Sequence, residues 1–588
     1  MTPGLAGFVV AGDEPQWGDA LDSVTAALAE AFAITPERAG APGGARRRTW
    51  LDTFDWRLYR AGFLLEYMIA NRAGQLVLTN VGASAVSDPE QVVQPVTGWR
   101  VARPCLFDQL PDGPVTMRIV GVVAPRALLP LLTVASTTSV TGLLNEDGKT
   151  VARLLVERPG IAAGHATTAQ GAGKIGLPPR LSIAEVRGYP GQARRAARIV
   201  ALTAQIEPGA PGRSPEKALL DDALAATGGR AASYSNKVDA KITADMPAAR
   251  AVATILLALL DAVEVNVNGV VRDTDTEFLH DLRVAVRRTR AAIKLLGEAL
   301  GLTDGLLDRF AAEFKWLGDV TTPVRDLDVH LLDFADMTAG LKAAKPTDLD
   351  PFRDLLAQRR ARELRALARA LRSPRFGQLT ADWRATLTAI ADGKPRRPGK
   401  SGKGAAKRAA PGRSVPMADE PTAGALAMDR TRVAFRKVVR RGGAITDDSP
   451  AESLHDLRKR AKELRYALEF FAPLHDKQAY AAVLGDLKRL QDCLGEFQDT
   501  EVQIEEIRAL AEAMLSAHSV SRSAIARTVL AMGEVTAGLA VRQVAARGAF
   551  ENRFAGFADS GGQRRMAVLL GGGSAGQGLV ASRAGGTA

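Results

Sequence analysis

Two stretches of this chain repeat one another 175 positions apart, and each has the spacing of one helix face. The first reads Glu277-Phe-Leu-His280-Asp281-Leu-Arg283 and runs on through Arg287, Arg290 and Lys294. The second reads Glu452-Ser-Leu-His455-Asp456-Leu-Arg458 and runs on through Lys462 and Arg465. Steps of three and four residues put each row on a single side of a 3.6-residue helix. One position back lies an apolar seam: Leu279, Leu282, Val286, Ile293 and Leu296 in the first copy. Leu454, Leu457, Ala461, Leu464, Leu468 and Phe471 form it in the second. A cationic row beside a packing seam is poorly placed to be solvated surface, so an extended anionic partner is expected.

A second block repeats at an offset of 173. Phe314-Lys315-Trp-Leu317-Gly-Asp319, followed by Arg325-Asp326-Leu-Asp328-Val329, matches Leu487-Lys488-Arg-Leu490-Gln-Asp492, followed by Gln498-Asp499-Thr-Glu501-Val502. Lys315 and Lys488 share a register position, whereas Arg325 has no basic counterpart, Gln498 standing there in the other copy. Asp326 and Asp499 are expected to cap new helices. The competing account of the cationic rows is a salt-bridged face, with Arg283 or Arg287 neutralised by Asp281, Asp326 or Asp328.

The first 206 residues read as mixed strand and turn. Short β-rich runs lie at 118–123, 131–134 and 151–156, with turns at Asn71-Arg-Ala-Gly74 and Asn145-Glu-Asp-Gly148. Helical periodicity appears at 20–32 and 191–205. The composition predicts an α+β domain over 1–206, a proline- and glycine-rich linker over 207–216 and a duplicated all-α region thereafter. Repeat 1 spans 217–391, with helices at 217–227, 247–268, 276–300, 305–318, 325–340, 350–371 and 375–391. A basic linker covers 392–416. Repeat 2 spans 417–550, with helices at 418–441, 451–472, 477–495, 499–516 and 520–548. A disordered tail is expected over 551–588.

With 588 residues the chain should hold roughly two to four domains. Its 46% hydrophobic and 24% charged residues describe a globular chain. Cys105 and Cys493 cannot build a disulfide framework. The net charge of +12 is concentrated: eight Lys or Arg and no acid lie between Lys394 and Arg413, leaving about +4 elsewhere. That segment reads as a solvated linker able to wrap a polyanion non-specifically. The apolar run Ala251–Leu260 is too short to span a bilayer. A cytoplasmic protein with no membrane partner is expected.

The duplicated blocks resemble the CHAD family, an α-helical domain with an H-x-x-R helix in each of two repeats and a W-L-G…R-D-x-D-V pair. The resemblance covers roughly residues 217–550. It implies two helical bundles around a basic channel and the binding of inorganic polyphosphate, which points to association with polyphosphate granules. The residues carried over are His280, Arg283, Arg287, Arg290, Lys294, Lys315, Arg325, His455, Arg458, Lys462, Arg465 and Lys488. The N-terminal region resembles the CYTH family at Trp50-Leu-Asp52-Thr53-Phe-Asp55-Trp-Arg57-Leu-Tyr59-Arg60-Ala-Gly62 and at the Asn145–Gly148 hairpin. It departs from that family where an E-x-E-x-K strand is expected: Gly7-Phe-Val-Val-Ala-Gly12 stands there instead. The expected arginines give way to Leu65-Glu-Tyr-Met68, and Glu185 alone remains of an acidic pair. Triphosphate hydrolysis needs Mg²⁺ or Mn²⁺ held by several carboxylates, so no catalytic residue, metal or cofactor is assigned.

Neither histidine has the companion ligands a metal needs, nor a paired nucleophile. Each is read as a donor to phosphate, with Asp281 or Asp456 biasing its tautomer. Binding should then tighten below about pH 6.5. Two rival functions remain: a metal-dependent triphosphatase using the N-terminal domain, and a nucleic-acid binder. The cationic rows carry no interleaved aromatics for base stacking.

Overall fold

The computed structural model describes residues 4–37, 46–70, 73–82, 91–101, 103–162, 175–203, 205–208, 214–393, 421–515 and 521–571. The chain divides into two compact units, Met1–Ser235 and Asn236–Ala588.

In the first unit the elements follow as β1 (Gly4–Val10), α1 (Trp17–Ala29), β2 (Ala33–Pro36), β3 (Arg46–Thr53), α2 (Arg57–Arg60), β4 (Phe63–Ala70), β5 (Ala73–Asn80) and β6 (Gln91–Val96). Then come α3 (Pro114–Val123), β7 (Leu128–Leu144), β8 (Thr150–Ile161), β9 (Ile175–Gly176), β10 (Arg180–Glu185), α4 (Pro190–Leu202), β11 (Ile206–Pro208) and α5 (Pro215–Ala226). All strands join one antiparallel sheet, ordered β11-β1-β10-β8-β7-β3-β4-β5-β6, with β2 on β7 and β9 on β8. The expected hairpin at Asn145–Gly148 joins β7 to β8. Gly148 holds φ +73 there, a left-handed conformation that glycine adopts without strain. The Asn71–Gly74 turn falls partly outside the described residues.

Successive side chains of β3 point to opposite sides. Trp50 packs with Leu132, Val134 and Leu177 against Leu219, Leu220, Ala223 and Leu224 of α5. Leu51 packs with Leu65, Leu76 and Leu78 against Val115, Ile119 and Val123 of α3. Two expectations change here. The run at 118–123 is helical, because Pro114 starts a helix whose buried residues recur every four positions. α5, assigned to the helical repeat by its periodicity, instead covers the sheet. The division therefore falls after Ser235, not at 207–216.

The second unit is helical: α6 (Ala248–Val271), α7 (Thr276–Leu296), α8 (Asp304–Leu332), α9 (Phe334–Ala339), α10 (Asp350–Leu371) and α11 (Pro374–Ala391). It continues with α12 (Ala423–Gly442), α13 (Ala451–Phe470), α14 (Lys477–Leu515), α15 (Arg522–Ala558) and α16 (Ser560–Leu569). Every seam residue named from the sequence is buried, from Leu279 to Leu296 and from Leu454 to Phe471. α6 and α7 approach so closely that a Cβ on Gly269 would sit 2.2 Å from the Phe278 ring.

α8 and α14 are each continuous where two helices were expected. Pro323 lies exposed within α8, and buried Phe314, Leu317 and Val324 carry the packing stripe past it. Asp326 and Asp499 thus lie in mid-helix and cap nothing. Residues 551–571 complete α15 and form α16, whose Met566 and Leu569 join the core around α13. Glycines hid that packing. The basic linker 394–413 lies outside the described residues. α15 is long and apolar enough to cross a membrane, with a mean hydropathy of 1.4 over its best window. One side of it, including Ala531, Met532 and Leu539, packs with Ile504, Ile507 and Leu510 of α14.

Candidate functional site: a cationic cleft between the repeated helices

α7 and α13 lie against each other, and acids on α13 tie them together. Arg288 donates to Glu469 at 2.9 Å, and Lys294 donates to Glu463 at 2.6 Å. Between these ties opens a cleft of about 390 Å³. Its walls are Arg287, Arg290, Ala291, Lys294 and Leu295 from α7 and Lys459, Arg460, Lys462, Glu463 and Tyr466 from α13. Six cations and a single acid face the same space. Lys294 and Arg460 are neutralised by Glu463, with Arg460 Nη1 at 3.0 Å from it. Among the described residues, Arg287, Arg290, Lys459 and Lys462 have no carboxylate within ion-pair distance.

Lys462 registers that crowding. Burial, then the charges of Arg458 and Arg287, lower its pKa to about 8, while Asp499 opposes the shift. Arg287 belongs to the other repeat, so the two cationic rows meet. Arg290 sits over Gly318 of α8, where a Cβ would lie 3.0 Å from its Nη1. The structure thus gathers Arg287, Arg290, Lys294 and Lys462 into one cleft.

The other sequence-named residues surround the cleft or turn from it. Arg283 is half-buried and donates to Thr321 and Thr322 of α8 at 3.1 and 2.8 Å. Its counterpart Arg458 donates to Gln498 at 3.0 Å and pairs with Asp499 at 2.7 Å. Arg465 pairs with Glu469 at 2.7 Å and reaches Gln491 at 3.4 Å. Lys315 is exposed and paired with Asp319 at 2.7 Å. Lys488 is exposed, and His455 is half-buried.

His280 is half-buried, and burial followed by the Arg325 charge depresses its pKa. Arg325 Nη1 is buried without a hydrogen-bond partner. The expected gain of an imidazole charge at about pH 6.5 therefore moves to lower pH for His280. Asp281 accepts from Asn236 at 3.1 Å and its charge also acts on His280, while Asp456 lies 3.5 Å from Arg460. Of the acids proposed to neutralise the rows, Asp328 is bound to Arg360.

Lys459, Arg460, Glu463 and Tyr466 were missed by sequence reasoning. Lys459, Glu463 and Tyr466 recur at helical spacing one position beyond the row read from the sequence, with Arg460 one position further, so the cleft face of α13 is rotated toward 459–466. Tyr466 itself is buried and offers no open ring for stacking.

The first unit holds a separate charged cluster inside its sheet. Arg48 is bound to Glu157, and Arg180 pairs with Asp222 at 2.7 Å. Burial raises the pKa of Glu66 to about 7. Asp52 of the CYTH-like stretch is raised to about 6 by burial. It accepts from the backbone N–H of Thr53, Leu58 and Tyr59 and so holds the turn into α2. Arginines hold Glu157 and Asp222 and backbone amides hold Asp52, whereas Glu66 Oε1 is buried without a hydrogen-bond partner. Among the described residues no group of three or more His, Cys, Asp or Glu could hold a metal ion.

The fold and the cleft define a helical domain built from a duplicated cationic helix. Residues 254–508 match the CHAD domain, and the chain carries a CHAD domain there. Among solved structures, it is similar to the CHAD domain from the plant Ricinus communis, at 25% identity and a TM-score of 0.42. That alignment covers 54% of this chain and 95% of the other. PptA from Streptomyces chartreusis is similar at 16% identity and a TM-score of 0.37, with 52% and 99% covered. An adenylyl cyclase candidate from Hippeastrum with a dominant triphosphatase activity aligns at 13% identity and a TM-score of 0.23, with 36% and 91% covered. No curated protein matches the chain.

Proposed function

We propose that this protein binds inorganic polyphosphate, without hydrolysing it, in the cleft between α7 and α13. The carrying observation is that Arg287, Arg290, Lys459 and Lys462 converge from both repeats on one space with no carboxylate of their own. Like charges held together, with Arg287, Arg290 and Lys459 exposed and Lys462 half-buried, favour a ligand that brings several negative charges at once. Polyphosphate carries one per residue along a flexible chain. Each charge-assisted contact is worth roughly 1.5–3 kcal/mol, so four support tight, salt-sensitive binding. The CHAD match supports the same ligand class. Nucleic acid fits less well, because the cleft offers no exposed aromatic platform for bases. In this reading the sheet unit is a scaffold, and the protein resides in the cytoplasm at polyphosphate granules.

A gel-shift titration with long-chain polyphosphate tests the assignment. Arg287→Ala/Lys462→Ala should lose most binding, while deletion of residues 394–413 should keep most of it. The reverse pattern would move the activity to the linker. Effective competition by DNA or RNA at equal charge concentration would favour the nucleic-acid reading.

A further inference from the structure

We propose that Glu463 is a resident counter-anion of the cleft, which a phosphate chain must displace to occupy the site fully. The proposal rests on the polyphosphate reading and adds a built-in competitor to it. Glu463 projects from α13 into the cleft and bridges to α7. One of its oxygens accepts from Lys294 Nζ at 2.6 Å, and both lie close to Arg460 Nη1, at 3.2 and 3.0 Å. Its side chain is 14% exposed. Burial pushes its pKa upward, but the hydrogen bonds from Lys294 and Arg460 outweigh this and hold it below the usual carboxylate range. The carboxylate therefore stays charged, and only another anion can take its place.

The cleft cations thus fall into two groups. Arg287, Arg290, Lys459 and Lys462 are open to a ligand, whereas Lys294 and Arg460 share Glu463, and Arg460 also lies 3.5 Å from Asp456. A single phosphate ion is satisfied by the open group and leaves Glu463 in place. A chain anchored there continues toward the occupied pair and offers each cation a phosphate of its own. Because Glu463 is tethered, its effective concentration beside Lys294 is high. A free ion cannot compete with it, but the next phosphate of an anchored chain is tethered too. The trade is therefore intramolecular on both sides.

Glu469 provides the internal comparison. It also bridges the two helices, joining Arg288 at 2.9 Å and Arg465 at 2.7 Å, but it lies outside the cleft lining.

The test measures long-chain polyphosphate and orthophosphate binding to full-length wild type, Glu463→Gln, Glu469→Gln and Lys294→Ala, and to Lys294→Ala in the Glu463→Gln background. Glu463→Gln should tighten chain binding at least fivefold and change orthophosphate binding less than twofold. Lys294→Ala should cost less than twofold in wild type, because it removes a contact and loosens Glu463 together. In Glu463→Gln it should cost at least fivefold, and that non-additivity is a signature of displacement. Unchanged or weaker chain binding by Glu463→Gln would overturn the proposal, as would an equal effect of Glu469→Gln, which would mark a mere tie between helices. Wild-type chain binding by Arg287→Ala/Lys462→Ala would instead sink the polyphosphate reading itself.

Discussion

Arg458 and Asp499 form a closed ion pair at 2.7 Å, whereas their first-repeat counterparts, Arg283 and Asp326, do not. Arg283 turns to the hydroxyls of Thr321 and Thr322 and keeps its charge without a carboxylate partner. The duplicated rows are therefore alike in register but unlike in electrostatics. Asp499→Asn should release Arg458 beside Lys462 and strengthen polyphosphate binding about threefold at pH 7. A gel-shift titration checks this, and weaker binding would mean that Asp499 positions Arg458 productively.

Distance from the cleft should grade the cations. Arg287→Ala and Lys462→Ala should each weaken chain binding roughly tenfold or more, in line with one lost charge-assisted contact. Lys315→Ala should stay within about twofold, since Lys315 is exposed and occupied by Asp319. Filter binding at a fixed salt concentration makes the comparison.

The proton equilibrium of Lys462 gives a pH signature. Its pKa is lowered to about 8 in the unliganded protein, and a bound polyanion favours the charged form. Affinity should be level near neutrality and fall as pH rises through about 8, by up to about tenfold per unit for one proton. Lys462→Arg, which keeps its charge throughout, should flatten the profile between pH 7 and 9.5. A wild-type profile already flat over that range would contradict the role.

Glu66 makes the opposite kind of prediction, for stability. Its pKa is raised from 4.5 to about 7, so the fold prefers the protonated carboxyl. That preference is fully present below about pH 4.5 and is lost as pH climbs toward 7. The upper bound is roughly 3 kcal/mol. Glu66→Gln should remove most of the pH dependence of sheet-unit unfolding between pH 5 and 8, as read by thermal melts.

Arg360 should prove structural. It binds Asp328, whose side chain is wholly buried, and donates to Asp273 at 2.7 and 2.9 Å. Arg360→Ala strands a buried carboxyl and should cost about 3 kcal/mol. Arg362→Ala, which breaks an exposed pair with Glu363, should cost below about 0.5 kcal/mol. Denaturant titration separates the two.

What the sequence made legible was whatever rests on helical period. The seam from Leu279 to Leu296 and its copy are buried as their spacing requires, and Arg287, Arg290 and Lys462 reach a common cleft. What escaped depends on tertiary packing. A proline at 323 suggested a break, yet its exposed ring costs α8 one hydrogen bond and no packing. The β-branched residues at 118–123 suggested a strand, yet a proline start and a four-residue period of buried positions make α3. Glu463 was hidden because an acid one turn from Arg460 looks like an ordinary surface pair. Its hold on Lys294 of the other repeat appears only when the helices are brought together.

The seating of α5 on the sheet has a practical corollary. A fragment cut at the proline-rich stretch would carry Leu219, Leu220 and Leu224 away with the helices and leave Trp50, Leu132 and Val134 facing water. Such a truncated sheet would be sticky and prone to precipitate. Dissection of the protein into separately purified halves should therefore be made after Ser235.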